Sequence, residues 1–389
     1  MKKYLSIVLV ACIFFGLSGL ALSDQGVTDD IIKIGIITDF TGATSAWGQK
    51  EKVVGGMWVK EINSRGGIHG RKVELLWEDH GYRPDRALTA AKKLINFDKV
   101  FCLMGGQCTP TNIVASNYAA KQKIPWVFPV NSLKKDAVKV NKYIFNYLPL
   151  HEPATRCLID YAVETWNVKK FGILYQHDDY GKGELANAKD QLAKYNLKPV
   201  AVENFKRGAL DASAQLARMK TAGCDVVNII GPMNIAVSVL KEAQRKGWQP
   251  HFLSCISASN AQLPKLAGDA GNGMICPFWF SSPDTDTDGM NRLKALLKKY
   301  HPTEKLGVTH IIMFPLFDGM EKALEWTGRD LTVENFLTTL ETRFKGYDNG
   351  ITGAITYGPD DHVGADSVIL AVIEDGKYKT ITGFVTPKK

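Results

Sequence analysis

The sequence predicts an α/β protein built as two doubly wound parallel-sheet lobes. Three observations lead there. From residue 31 to about 280, short apolar runs alternate with amphipathic stretches of helical length, the rhythm of a parallel sheet with helices on both faces. That rhythm breaks after an extended run at 143–148 and restarts at His151, which marks a second unit. The chain has 389 residues, a length that suits two domains of ordinary size once a leader is set aside. The halves share this rhythm but no residue-level repeat.

The leader comes first. Lys2 and Lys3 precede an apolar run at 4–20, and Ala21-Leu22-Ser23 offers small residues for cleavage before Asp24, so residues 1–23 read as a signal peptide. Leu9-Val10-Ala11-Cys12 has the look of a lipoprotein box. The apolar run continues past it through Ile13-Phe14-Phe15, so a lipid anchor at Cys12 is not expected. No later stretch is long and apolar enough to span a bilayer. The mature chain is expected to be soluble and periplasmic.

The first strand is the apolar run at 31–37, broken by Thr38-Asp39-Phe40-Thr41-Gly42. Val53, Val54, Met57, Trp58 and Ile62 then fall at helical spacing, and Gly66-Gly67 ends that helix. A second strand at 72–77, a helix opened by Pro84, a strand ending at Gly105-Gly106, a helix after Thr109 and a strand at 125–129 continue the alternation. The second unit runs through a helix at 151–166, a strand at 170–175 and strands near 199–204, 225–230, 251–255 and 274–280. Beyond Ser281 the pattern turns helical and then closes with strands near Ile355 and at 368–373. Asp375-Gly376 is a hairpin turn into 378–381. The helical section suggests that the chain returns to finish the first unit, and the terminal hairpin would rejoin the second. This places 24–147 plus 281–350 in the first lobe and 148–280 plus 351–389 in the second.

Composition excludes several classes. The net charge of +8 falls by two with the leader, and the remaining positive residues form no block that would suggest nucleic acid. Neither the cysteines nor the eight histidines show zinc or other metal spacing, so no metal or cofactor is expected. An exported chain permits disulfides, and Cys102–Cys108 and Cys255–Cys276 are candidate bridges, while Cys157 and Cys224 read as buried thiols. There is no G-x-S-x-G elbow. Tyr180-Gly181-Lys182-Gly183 fails as a P-loop because Gln176 and Gly183 stand where Gly and Ser/Thr are needed. The alternating Asp284, Asp286 and Asp288 lack the later Glu of a calcium loop. An enzyme is therefore not expected.

The chemistry concentrates at 105–132, GGQCTPTNIVASNYAAKQKIPWVFPVNS. Thr109 sits at an expected N-cap with Pro110 as first helical residue, and Asn131 and Ser132 follow the next strand. A helix N-terminus carries backbone donors and partial positive charge, so this loop is suited to a small carboxylate between two strand ends. The same stretch also reads as an ordinary capped helix. Trp47, Tyr180 and Trp279 recur at other strand ends, as fits a ligand cleft between two facing sheets.

With these residues in view, the chain resembles the type I periplasmic binding proteins for leucine, isoleucine and valine, which serve ABC importers. The resemblance runs from about Ile31 to the C-terminus on DDIIKIGIITDFTGATSAWG, INSRGGIHGRKVEL, PDRALTAAKKLI, GGQCTPT and HDDYGKG. It implies two lobes joined by a three-segment hinge, a monomer that closes over its ligand, and ABC permease subunits as partners. It further implies that the loop at Cys108-Thr109 holds a ligand carboxylate, with Val130 and Ser132 as the next contacts and Trp47 and Tyr180 as aromatic walls. Two positions depart from the family. Pro232 or Met233 falls where a second-lobe tyrosine is usual, and Ile256 falls where a carboxylate pairs the ligand ammonium. A desolvated ammonium needs a charged partner. The departure favours an amine-free carboxylate, aromatic acids included, unless Glu152, Asp178 or Asp179 supplies the charge. A branched-chain amino-acid binder and a ligand-sensing receptor subunit are the alternatives on the same fold.

Overall fold

The computed structural model describes residues 24–130 and 141–388. The leader expected at 1–23 and the candidate contacts Asn131 and Ser132 lie outside the described residues.

Two separate sheets form. The first has the order β2-β1-β3-β4-β5, from β1 (Ile31–Thr38), β2 (Lys72–Asp79), β3 (Cys102–Met104), β4 (Trp126–Val127) and β5 (Ile144–Phe145). All its pairings are parallel. The second combines β6 (Phe171–Gln176), β7 (Ala201–Phe205), β8 (Val226–Ile230), β9 (His251–Leu253), β10 (Ile275–Phe278), β13 (Ile369–Glu374) and β14 (Lys377–Thr380), in the order β14-β13-β10-β9-β8-β6-β7. The strands β6 to β10 are parallel; β13 and β14 add an antiparallel edge through the Asp375-Gly376 turn. The inner parallel strands β1, β6 and β8 are almost wholly buried, as expected where helices cover both faces, while the outer strands β2 and β7 are largely half-buried or exposed.

Strand order reverses at β1/β3 in the first sheet and at β6/β8 in the second. At such a reversal the neighbouring loops leave in opposite directions and open a crevice at the strands' carboxyl ends. The loops that do so follow β1, β3, β6 and β8.

Helices after residue 281 pack on the first lobe. The helix Val308–Thr327 lies along the helix Ser45–Ser64, with Trp58 and Phe317 rings 5.4 Å apart. Phe336, in the helix Val333–Arg343, meets Phe101 at 5.3 Å. A short pair not foreseen from sequence, β11 (Lys345–Tyr347) with β12 (Ile355–Thr356), follows. The chain crosses between the lobes three times. Asn146 N donates to His362 O and Asn146 O accepts from Gly364 N, both at 2.8 Å, while Ser281 N donates to Ile351 O at 2.8 Å. Backbone bonds thus tie the three crossings to one another.

The disulfides expected from sequence do not form. Cys102, Cys108, Cys157, Cys224, Cys255 and Cys276 are all free thiols. Cys108 Sγ instead lies 3.1 Å from Thr44 Oγ1. Cys255 Sγ is ringed by the Tyr180 and Ser257 hydroxyls and by the backbone of Gly231.

Candidate functional site

The crevice loops enclose a cavity of about 350 Å³ between the lobes. That size lies within the roughly 300–1,000 Å³ usual for small-molecule sites. Six of the residues singled out from sequence line it together: Trp47, Thr109 and Val130 from the first lobe, Tyr180, Met233 and Ile256 from the second. Their common property is position, since each follows the carboxyl end of a parallel strand.

The first-lobe wall is built around the loop after β3. Gly105 and Gly106 take the left-handed backbone, at φ +59° and +79°. At Gly106 a side chain would stand 2.4 Å from the Ile37 carbonyl oxygen, so only glycine lets the loop cross the end of β1. The helix then begins at Thr109, one residue earlier than expected. Cys108 is the N-cap, with φ +79° and no side-chain capping bond, and Pro110 is the second helical residue. Thr109 is therefore part of the first turn and borders the cavity with Cys108. Gln107 Nε2 donates to Thr44 O at 3.2 Å, and the Thr44 hydroxyl donates to Asp39 Oδ2 at 2.7 Å. These bonds join the loops after β1 and β3 into one wall.

The second-lobe wall is aromatic and hydroxylic. The Tyr180 hydroxyl lies 2.6 Å from Ser257 Oγ and 3.2 Å from Cys255 Sγ, so its ring is fixed as a wall. His151 stands edge-on to Tyr180 and to Trp279, at 5.4 and 4.9 Å between ring centres. Burial pushes the His151 imidazole down to about 3, so it is neutral at ordinary pH. Trp279 lines the cavity as well.

Tyr82 crosses from the first lobe to the second. Its hydroxyl donates to Asp178 Oδ2 at 3.2 Å, its ring lies 4.6 Å below the Arg207 guanidinium, and its carbonyl accepts from Arg207 at 3.3 Å. Sequence reasoning missed Tyr82, Gln107, His151 and Gln176 as cavity residues. The signal available for Tyr82 was its place in the loop after β2, at the same sheet end as the others. His151 opens a helix and gave no such signal.

Charge is the decisive property. Among the described residues that line the cavity, none is Asp, Glu, Lys or Arg. The acids that might have replaced the one expected near Ile256 are engaged elsewhere. Glu152 accepts from Arg156 Nε at 2.8 Å. Asp178 caps its own helix through Gly181 N and accepts from Gln176 Nε2 at 2.7 Å. Asp179 is exposed and does not border the cavity.

The sequence profile of the periplasmic binding proteins matches residues 31–377. The chain belongs to the periplasmic binding protein family. Within it the chain falls with the type I, leucine/isoleucine/valine-binding branch. It is 27% identical over 263 residues to the leucine-specific-binding protein of Salmonella typhimurium, covering 68% of this chain and 71% of that one. The fold matches the structure of a branched-chain amino acid ABC transporter protein from Thermus thermophilus with bound valine, at TM-score 0.84 and 20% identity, over 92% of this chain and 97% of that one. It also matches a fatty acid ABC transporter substrate-binding protein from Thermomonospora curvata, at TM-score 0.80 and 22% identity, over 94% of each chain. The Salmonella typhimurium and Thermomonospora curvata relatives are themselves binding proteins. No helix among its described residues is long and apolar enough to cross a membrane.

Proposed function

We propose that this periplasmic binding protein is the solute-binding component of an ABC importer and that it closes as a monomer on a small carboxylate without an ammonium group, an aromatic or other amine-free acid. The observation that carries this reading is the uncharged lining around Ile256. No acid stands anywhere in Ser254-Cys255-Ile256-Ser257-Ala258-Ser259-Asn260, so a shift of one or two residues in the family placement changes nothing. An ammonium buried there without a charged partner forfeits several kcal/mol of hydration. A carboxylate needs no cation, because the helix N-terminus at Cys108-Thr109 offers backbone donors and a favourable dipole. Trp47, Tyr180, Met233 and Ile256 then give the rest of the ligand an apolar, ring-tolerant enclosure. Val130 belongs to the carboxylate end, and Asn131 and Ser132 follow it in the chain.

The fold does not choose the ligand, since one structural relative holds bound valine and another is a fatty acid ABC transporter substrate-binding protein. The rival reading, a branched-chain amino-acid binder, is favoured by the name of the leucine-specific relative. Calorimetry on a panel of leucine, valine, benzoate, phenylacetate and octanoate separates the two. An amine-free acid is expected to bind tightest; tight binding of leucine or valine would overturn the amine-free assignment.

A further inference from the structure

We propose that Glu51, a residue outside the cavity lining, positions the carboxylate-holding loop and takes up a proton when a carboxylate docks on that loop. The inference rests on the reading of the Cys108-Thr109 loop as the anion site.

Glu51 projects from the helix Ser45–Ser64 into the protein and is 0% exposed. Its Oε1 accepts from Gly106 N at 2.9 Å and its Oε2 accepts from the Thr38 hydroxyl at 2.7 Å. The carboxyl group therefore ties the end of β1 to the loop after β3, the two elements at the strand-order reversal. It also fills the space beside Gly105, where a side chain would stand 2.4 Å from Glu51 Oε1. The other bonds of Gly105 and Gly106 are made by neutral groups: Gly105 N to Val127 O, Trp126 Nε1 to Gly105 O, and Val130 N to Gly106 O, each at 2.9 Å.

Among the described residues no Lys or Arg forms an ion pair with Glu51. Burial raises its carboxyl to about 7, and the bonds from Gly106 and Thr38 offset this only in part. Other titratable groups also face the loop. Asp39 is occupied by Gly42 N and by the Thr44 N–H and hydroxyl. His80, bonded to Gln107 O, is held below its ordinary value by burial, and the Cys108 thiol is pushed well above its own. Asp178 faces the loop from across the cleft, capped onto its helix. A ligand carboxylate arriving at the loop adds a like charge, which favours the protonated Glu51. The proton comes from solvent, and the Thr38 hydroxyl can turn from donor to acceptor to receive the new O–H.

The test is calorimetry with leucine and benzoate in turn, at pH 6.5, 7.5 and 8.5, in buffers of different ionisation enthalpy. Each ligand presents a carboxylate to the same loop. For whichever binds, wild-type affinity is expected to rise by up to about tenfold from pH 8.5 to 6.5, the worth of one pKa unit, with buffer-dependent heats that report proton uptake. Glu51→Gln imitates the protonated acid and is expected to flatten the profile and remove the buffer dependence. Glu51→Ala, with the Gly106 bond gone, is expected to bind at least about tenfold more weakly at every pH, with a thermal melt showing that it folds. If the alanine variant does not fold, the glutamine variant decides alone. A Glu51→Gln profile parallel to wild type overturns the proposal, as does a folded Glu51→Ala with wild-type affinity. Binding of leucine but not benzoate removes the amine-free assignment and leaves Glu51 standing or falling on its own profile. Where neither binds, the tightest binder among valine, phenylacetate and octanoate takes their place, and binding of none of the five removes the carboxylate reading and this proposal with it.

Discussion

Replacing Glu51 by glutamine should change how stability depends on pH, even with no ligand present. Burial raises the carboxyl from 4.5 to about 7 in the folded protein. The fold therefore binds the proton more tightly than the unfolded chain does. For a group raised in this way the stabilisation is full below pH 4.5 and drains away as the pH climbs through 7. At 1.36 kcal/mol per pH unit, the interval is worth about 3 kcal/mol. Glutamine keeps an oxygen to accept from Gly106 N and does not titrate. The variant should thus gain about 3 kcal/mol on wild type between pH 4.5 and 8. Urea denaturation of both proteins at pH 4.5, 6 and 8 measures it. Histidines held low by burial, such as His80 and His151, contribute equally to both proteins and cancel in the difference. Two stability profiles that run parallel would refute the argument, because they would mean that Glu51 titrates alike folded and unfolded.

Three further outcomes concern the cleft. Thr109→Ala should weaken carboxylate binding by about 1–3 kcal/mol in calorimetry, the range for a hydrogen bond to a charged group, and an unchanged affinity would mean that the loop is not the anchor. Ile256→Glu should raise affinity for leucine and lower it for benzoate, each by tenfold or more, since the new carboxylate favours an ammonium and repels a second acid. Arg207→Ala removes the guanidinium over Tyr82, a contact of roughly 0.5–1 kcal/mol at an exposed site. Stopped-flow fluorescence should show ligand release faster by about threefold with association unaltered.

The fold was legible because its signals are local and repeated: apolar strands, helical spacing and glycine stops all point the same way. The six cavity residues were legible for the same reason, as each sits just past a strand whose place could be read. What sequence could not supply was side-chain direction. Thr109 was expected as the cap, yet the backbone turns at Cys108, whose positive φ no pattern announces. The candidate disulfides were drawn from nearness along the chain, and the structure turns Cys108 toward Thr44 and Cys255 toward Tyr180. His151 meets the cavity from the start of a helix, where no strand end announces it. Glu51 lies in a helix where it reads as one more surface acid. Its inward aim depends on packing of that helix against the Gly105-Gly106 turn, which no single stretch encodes.

Cys108 is the thiol that borders the cleft, while Cys102, Cys157, Cys224, Cys255 and Cys276 are buried. A small neutral alkylating reagent can reach it by the route a guest molecule takes. Burial that holds the thiol well above its ordinary value makes it a poor nucleophile in the closed form, so alkylation should wait for the jaws to part and should slow when a guest is bound. The native chain thus carries its own gauge of occupancy, with no dye or engineered handle required.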